Sequence, residues 1–266
     1  MVEKRRVWAG VSAALLGTVA TSNTAMSQDN PILKQESAIY SFWEGEGEGE
    51  GEGGSVDLRS DHGEFLARLG LVRGHLWIGM QLYQNGHTDM AKTHMKHPKD
   101  ELYSALVPAF KARNLPGFAE ELTALSQSVM QEADPEQVEI NYQALQQAIS
   151  QNEQVDQYDA ETVLISIAKM LRTSADEYAI GVEQGELVNA HEYQDALGFK
   201  TVALARLNAM NEVQKSDYAG DLQQVRALID DLSDFWPDIT PEGELDGDIS
   251  RIYATAARVE LIGMNL

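Results

Sequence analysis

The chain has 266 residues, a formal charge of −22 and no cysteine. Such acidity makes nucleic acid and anionic lipid headgroups poor partners, because phosphate binding needs a basic surface; cations, basic proteins or a metal ion suit it better, and on the plainer reading the charge only keeps the chain soluble. The missing cysteines exclude disulfides, covalently attached c-type haem and thiolate metal sites, so stability must come from the core alone.

Residues 1–27 read as a cleaved secretory signal. Lys4, Arg5 and Arg6 make a basic start, 11–20 is a short apolar stretch, and Ala25-Met26-Ser27 fits a small-x-small cleavage site before Gln28. That stretch falls short of the ~20 residues a bilayer span needs, and no later segment is apolar for long enough. The expectation is a periplasmic or secreted protein that is not an integral membrane protein. Residues 28–54 read as a disordered segment. Its end, 44–54, alternates Glu and Gly; it has period two but no apolar face, so it reads as a flexible tether rather than a strand.

From Ser55 the pattern is helical. Ser60 or Asp61 can cap a helix running to about Gln84, with Phe65, Leu66, Leu69, Val72, Leu76 and Tyr83 at three- and four-residue steps. Asn85-Gly86 stops it, and a short helix covers 88–96. Pro98 suits the first turn of the next helix, to about Arg113. Asn114-Leu115-Pro116-Gly117 is a break. Helices are then predicted over 118–132 and from Asp134-Pro135 to about Ser150. The polar stretch 151–157 divides an N-terminal sub-bundle (55–150) from a C-terminal one (158–266). Four helices follow, at about 160–184, 189–212, 216–235 and 247–263, with Asn189 and Ser216 as caps. The fold class is all-α: antiparallel helical hairpins forming a bundle or a short helical stack. A faint internal repeat overlays Ile78-Gly79 on Ile180-Gly181 and sets His75 opposite Glu177.

Five of the six histidines fall between residues 62 and 97. Steps of three, four and three put His87, Met90, His94 and His97 along one helical face. Imidazole suits iron, copper, zinc and nickel, and thioether sulfur favours Cu(I). His75 lies beside the apolar stripe with Gly79 one turn on, which leaves room for a ligand. Glu177 has the same relation to Gly181. Asp176, Glu177, Glu192 and Asp195 form an acidic set with His191 adjacent. A site joining His75 and His94 with Glu177 and Glu192 would suit iron, copper or manganese, and either Met90 or a carboxylate such as Glu177 would complete a set around the two imidazoles. His75 and His94 are expected within reach across the first hairpin, since the turn at Asn85-Gly86 brings them to similar heights. The competing reading is packing alone: Met90, Ala91 and His94 seat against the preceding helix, the carboxylates are solvated, and the glycines serve close helix contact. The chain is then a helical-repeat interaction module without metal. No catalytic signature appears, neither His-Glu-x-x-His, nor Gly-x-Ser-x-Gly, nor a phosphate-binding glycine loop, so an enzyme is not expected.

Residues 175–196 contain Tyr178-x-x-Gly181-Val182-x-x-Gly185 followed by Asn189-x-x-Glu192-Tyr193. This run resembles the periplasmic helical region attached to bacterial high-affinity, oxidase-coupled iron permeases, and the resemblance extends over about residues 160–212. The transmembrane acidic motifs of the permease and the His-x-x-Glu motif of the related imelysin-like proteins are absent. The resemblance implies a soluble periplasmic protein handling iron or copper beside a membrane permease or oxidase. It does not identify a ligand set.

Overall fold

The computed structural model describes residues 56–98 and 102–266. The expected signal and Glu-Gly tether lie outside the described residues. Among those described there are ten α-helices: α1 (His62–Gln84), α2 (Thr88–His97), α3 (Tyr103–Arg113), α4 (Ala119–Met130), α5 (Pro135–Glu153), α6 (Ala160–Gly181), α7 (Ala190–Ala209), α8 (Glu212–Asp217), α9 (Ala219–Asp230) and α10 (Ser250–Gly263). The only strands among the described residues, β1 (Val182–Glu183) and β2 (Glu186–Leu187), pair antiparallel between α6 and α7. The chain is all-α, as expected. No described helix is long and apolar enough to cross a membrane.

A side-chain cap opens five of the ten described helices. Asp61 accepts from Glu64 N at 2.8 Å, Asp134 from Glu136 N at 2.9 Å, Asp159 from Thr162 N at 2.6 Å and Asn189 from His191 N at 3.1 Å, each satisfying an orphan N–H of a first turn. Three expectations are corrected. Ser216 caps nothing and sits inside α8, whose cap is Asn211 in a reciprocal capping box with Gln214. The helix expected over 160–184 stops at Gly181, because Gln184 and Gly185 both take positive φ (53° and 85°) and turn the chain into the β1–β2 hairpin. The helix expected over 216–235 is divided between α8, α9 and a 3₁₀ turn at Ser233–Phe235.

Helices α6, α7, α9 and α10 form a closed ring of four, each packed on two others, while α1 lies against α6 and α7 and also contacts α2, α3 and α5. This explains why α1 is buried nearly all round rather than along one stripe: Gly63, Ala67, Gly70, Leu71, Gly74 and Ile78 are buried as well as the expected Phe65, Leu66, Leu69, Val72 and Leu76, while Tyr83 is half-buried. The two sub-bundles expected on either side of 151–157 are not separate in the packing. Helix α1 crosses that division, and one core runs from Phe65 and Leu106 through Ile167 and Phe199 to Val225 and Val259.

The α1–α7 contact is unusually close. A Cβ on Gly198 would stand 2.6 Å from the Gly74 carbonyl oxygen, and one on Gly74 would stand 2.4 Å from the Phe199 ring. Two glycines therefore let the backbones of α1 and α7 touch. Each precedes or follows a residue of the site below by a single turn or less: His75 follows Gly74, and Asp195 lies three before Gly198.

Candidate metal centre

Three elements meet at Asp195. His75 reaches it from α1, His94 from α2, and His191 and Glu192 from the first turn of its own helix, α7. His75 Nδ1 is 2.6 Å and His94 Nδ1 3.0 Å from the same oxygen, Oδ1. His191 Nδ1 is 3.2 Å from the other, Oδ2, and 3.6 Å from Glu192 Oε1. His75, His94 and Asp195 are buried, each 2 % exposed or less.

The centre is built by contacts that fix each ring. The His75 ring stands edge-on to Phe199 at 5.0 Å between centroids, and the His75 and His94 rings are 6.5 Å apart. His94 Nε2 is 2.9 Å from Gln194 Oε1. The orientation of that amide follows from its other end: Gln194 Nε2 donates to the Ile239 carbonyl, which can only accept, and approaches the Met90 sulfur at 3.7 Å. Oε1 therefore faces His94, and His94 Nε2 carries the proton and donates it. This leaves His94 Nδ1 as the nitrogen turned to Asp195. A lone pair and a carboxylate oxygen at 3.0 Å repel each other unless a cation, either a proton or a metal ion, lies between them. Burial alone would push the Asp195 carboxyl up, yet the charges of His75 and His94 and their hydrogen bonds hold it well below the usual carboxylate value.

Two donor groups have the residue types and the mutual proximity to hold a metal ion. They are His75, His94 and Asp195, and His191, Glu192 and Asp195; within each, all donors lie within 4.8 Å of one another. Donors around one first-row ion, at about 2.0–2.2 Å from it, are roughly 3–4 Å apart, so modest side-chain movement opens room for one. Glu192 Oε2, buried, has no hydrogen-bond partner among the described residues. Gln194 supplies the outer contact that orients a ligating imidazole.

The expected residues divide. The structure brings His75, His94 and Glu192 together around Asp195. Met90 stops one contact short, with its sulfur on the Gln194 amide. His87 is exposed at the N-cap of α2 rather than on the helical face expected with His94. His97 ends α2, and its side chain lies outside the described residues. Glu177 is half-buried on α6 and belongs to neither donor group, and Asp176 instead accepts from the Tyr253 hydroxyl. The glycines expected to leave ligand space do not. A Cβ on Gly79 would meet Met95 at 2.9 Å and His94 Cβ at 3.2 Å, and one on Gly181 would meet Tyr193 N at 2.6 Å. Both admit a neighbouring helix. Asp195 and His191 are the residues whose roles the candidate set missed, although their i, i+4 spacing on α7 was a readable sign that they share a face.

The geometry also explains the run from Tyr178 to Tyr193. Gly181 lets α6 approach Tyr193, Gly185 makes the hairpin turn, and Asn189 caps α7. The Tyr178 hydroxyl donates to the Asp246 carbonyl at 2.9 Å, and that of Tyr193 to the Asp238 carbonyl at 2.7 Å. Most of the pattern is thus a structural joint, and of the run only Glu192 and the intervening His191 face the centre.

Comparison with known proteins agrees with the resemblance. Neither the curated proteins nor the solved structures contain a match. Residues 153–261, which hold α6 to α9 and nearly all of α10, match the iron permease-associated 4-helix bundle domain, a match that points to an iron-transport-related role and fits a membrane permease as partner.

Proposed function

We propose that this protein is an exported, soluble metal-binding protein that takes up an iron ion at the Asp195 centre and delivers it to an envelope permease. The observation that carries the reading is the convergence of His75 and His94, from two helices, on one buried oxygen of Asp195. Packing alone does not call for two imidazole nitrogens on one oxygen. The matched domain supports iron as the cargo. So does the donor set of nitrogens and carboxylate oxygens, because Met90, the one thioether that favours Cu(I), lies outside it. Copper is the second candidate on the same ligands. The seam between α1–α2 and the matched bundle holds the ion, so uptake or release depends on both parts of the chain.

The test is elemental analysis of the protein purified without a histidine tag, followed by Fe²⁺ titration of His75→Ala, His94→Ala and the double variant under anaerobic conditions. Each single change is expected to lower affinity at least about tenfold, and the double to add little, as for ligands of one site. Unchanged affinity in both single variants overturns the reading. Mass spectrometry of the exported protein tests export: the expected N-terminus is Gln28.

A further inference from the structure

We infer that the centre holds two metal ions bridged by Asp195. This rests on the metal-binding reading above and concerns how many ions the same residues take.

The stacking of His94 and His191 carries the inference. Their rings lie 4.2 Å apart between centroids, with planes only 9° from parallel. An imidazole binds a metal through an in-plane lone pair, so the ion sits close to the ring plane at about 2.0–2.1 Å from the nitrogen. Two stacked rings share no plane. An ion midway between them would stand out of each plane by about the length of the bond itself, under the ring face rather than on the lone pair. One ion therefore does not serve both rings. His75 differs: its plane is tilted 37° to that of His94, so the two planes cross and can meet at one ion.

Each stacked ring directs Nδ1 to a different oxygen of one carboxylate, His94 to Oδ1 at 3.0 Å and His191 to Oδ2 at 3.2 Å. Asp195 thus heads two donor sets, His75 and His94 with Oδ1, and His191 and Glu192 with Oδ2. Rings 4.2 Å apart between centroids have a plane spacing no larger than that, which accommodates two ions at the roughly 3.5–4 Å of two-metal sites. Two divalent ions exceed the charges of Asp195 and Glu192 by two, and the −22 of the chain favours the surplus. The sets also differ in access. His75 and His94 side chains are 2 % and 0 % exposed, those of His191 and Glu192 14 % and 11 %. The outer ion is the one that exchanges first.

The experiment is titration of the full chain with Cu²⁺ alone, in a buffer with excess glycine to strip weakly held copper, read by electron paramagnetic resonance. The first equivalent is expected to give an isolated copper signal. The second is expected to reduce the integrated intensity below the copper bound and to bring up a half-field line, as two adjacent spins couple. Glu192→Gln and His75→Gln, each touching one set, are each expected to bind one ion with full, uncoupled intensity. Wild-type protein that saturates at one ion, or that binds two without coupling, overturns the two-ion centre while leaving metal binding intact. Failure to hold any copper overturns both. The wild-type spectrum decides the question even if a variant fails to fold, which far-UV circular dichroism reports.

Discussion

Helices α1 and α7 carry two buried polar clusters between them, and the clusters are opposites. Near one end, Arg73 of α1 and Arg206 of α7 close on Glu153. Arg73 Nε donates to Glu153 Oε2 at 2.8 Å and Arg206 Nη2 to Oε1 at 2.6 Å. The remaining guanidinium groups reach Ser150, Gln146 and Ser166. Burial pulls Arg206 down from its ordinary value, and the Glu153 charge pulls it back. Here both oxygens of the carboxylate are met by obligate donors. At the other cluster, Asp195 is met by imidazoles, which offer a donor or a lone pair according to their protonation, and a second carboxylate stands beside them. Arginine closes a site permanently, whereas histidine leaves room for a cation to replace a proton. The pair distinguishes a lock that holds helices together from a site that exchanges an ion.

The sharpest way to break this comparison is to remove the acceptor from each cluster in turn. Glu153→Ala leaves a buried guanidinium uncompensated and is expected to cost about 3–5 kcal/mol of stability in urea unfolding, with metal affinity of the folded protein unchanged. Asp195→Asn, which keeps shape but removes the charge, is expected to lower Fe²⁺ affinity by about 100-fold, the upper end of what losing a group that orients a metal ligand costs. Equal loss of stability and equal loss of metal in both variants would erase the distinction. Gly198→Ala probes what the two clusters share. Its Cβ has no room against the Gly74 backbone, so α1 and α7 must separate, at about 1–3 kcal/mol. Metal affinity is expected to fall along with stability, because His75 and Asp195 are held at 2.6 Å by that contact. A stability loss with intact affinity would show that the centre does not depend on the close approach.

The smallest effect lies away from both clusters. Asp159 caps α6, and hydrogen bonds from Thr162, side chain first and backbone second, hold its carboxyl below its ordinary value. A lowered folded value means that the stabilisation is present above the usual carboxylate range and is lost as pH falls through it. Asp159→Ala is therefore expected to cost about 1 kcal/mol near neutral pH and progressively less below about pH 4. A cost independent of pH would assign the cap to shape rather than charge.

Much of this protein was legible from residue order. Helix positions followed from local signals, the caps Asp61, Asp134 and Asn189 and the turn at Asn85-Gly86, because capping and turn chemistry act within a few residues. The reach of His75 to His94 was legible for the same reason, since one tight turn joins their helices. The pattern from Tyr178 to Tyr193 also pointed to the iron permease-associated domain before any contact was known. What only the tertiary structure decided was the third partner. His94 and Asp195 are 101 residues apart, and although the i, i+4 spacing of His191 and Asp195 marks a shared face, no local signal says that this face, rather than the one carrying Glu177, meets His75 and His94. The choice depends on which face of α7 meets α1. That face is selected by Gly74 and Gly198 in contact, two residues that read alone as weak points in helices and become, once paired, the reason that a carboxylate lies between three imidazoles.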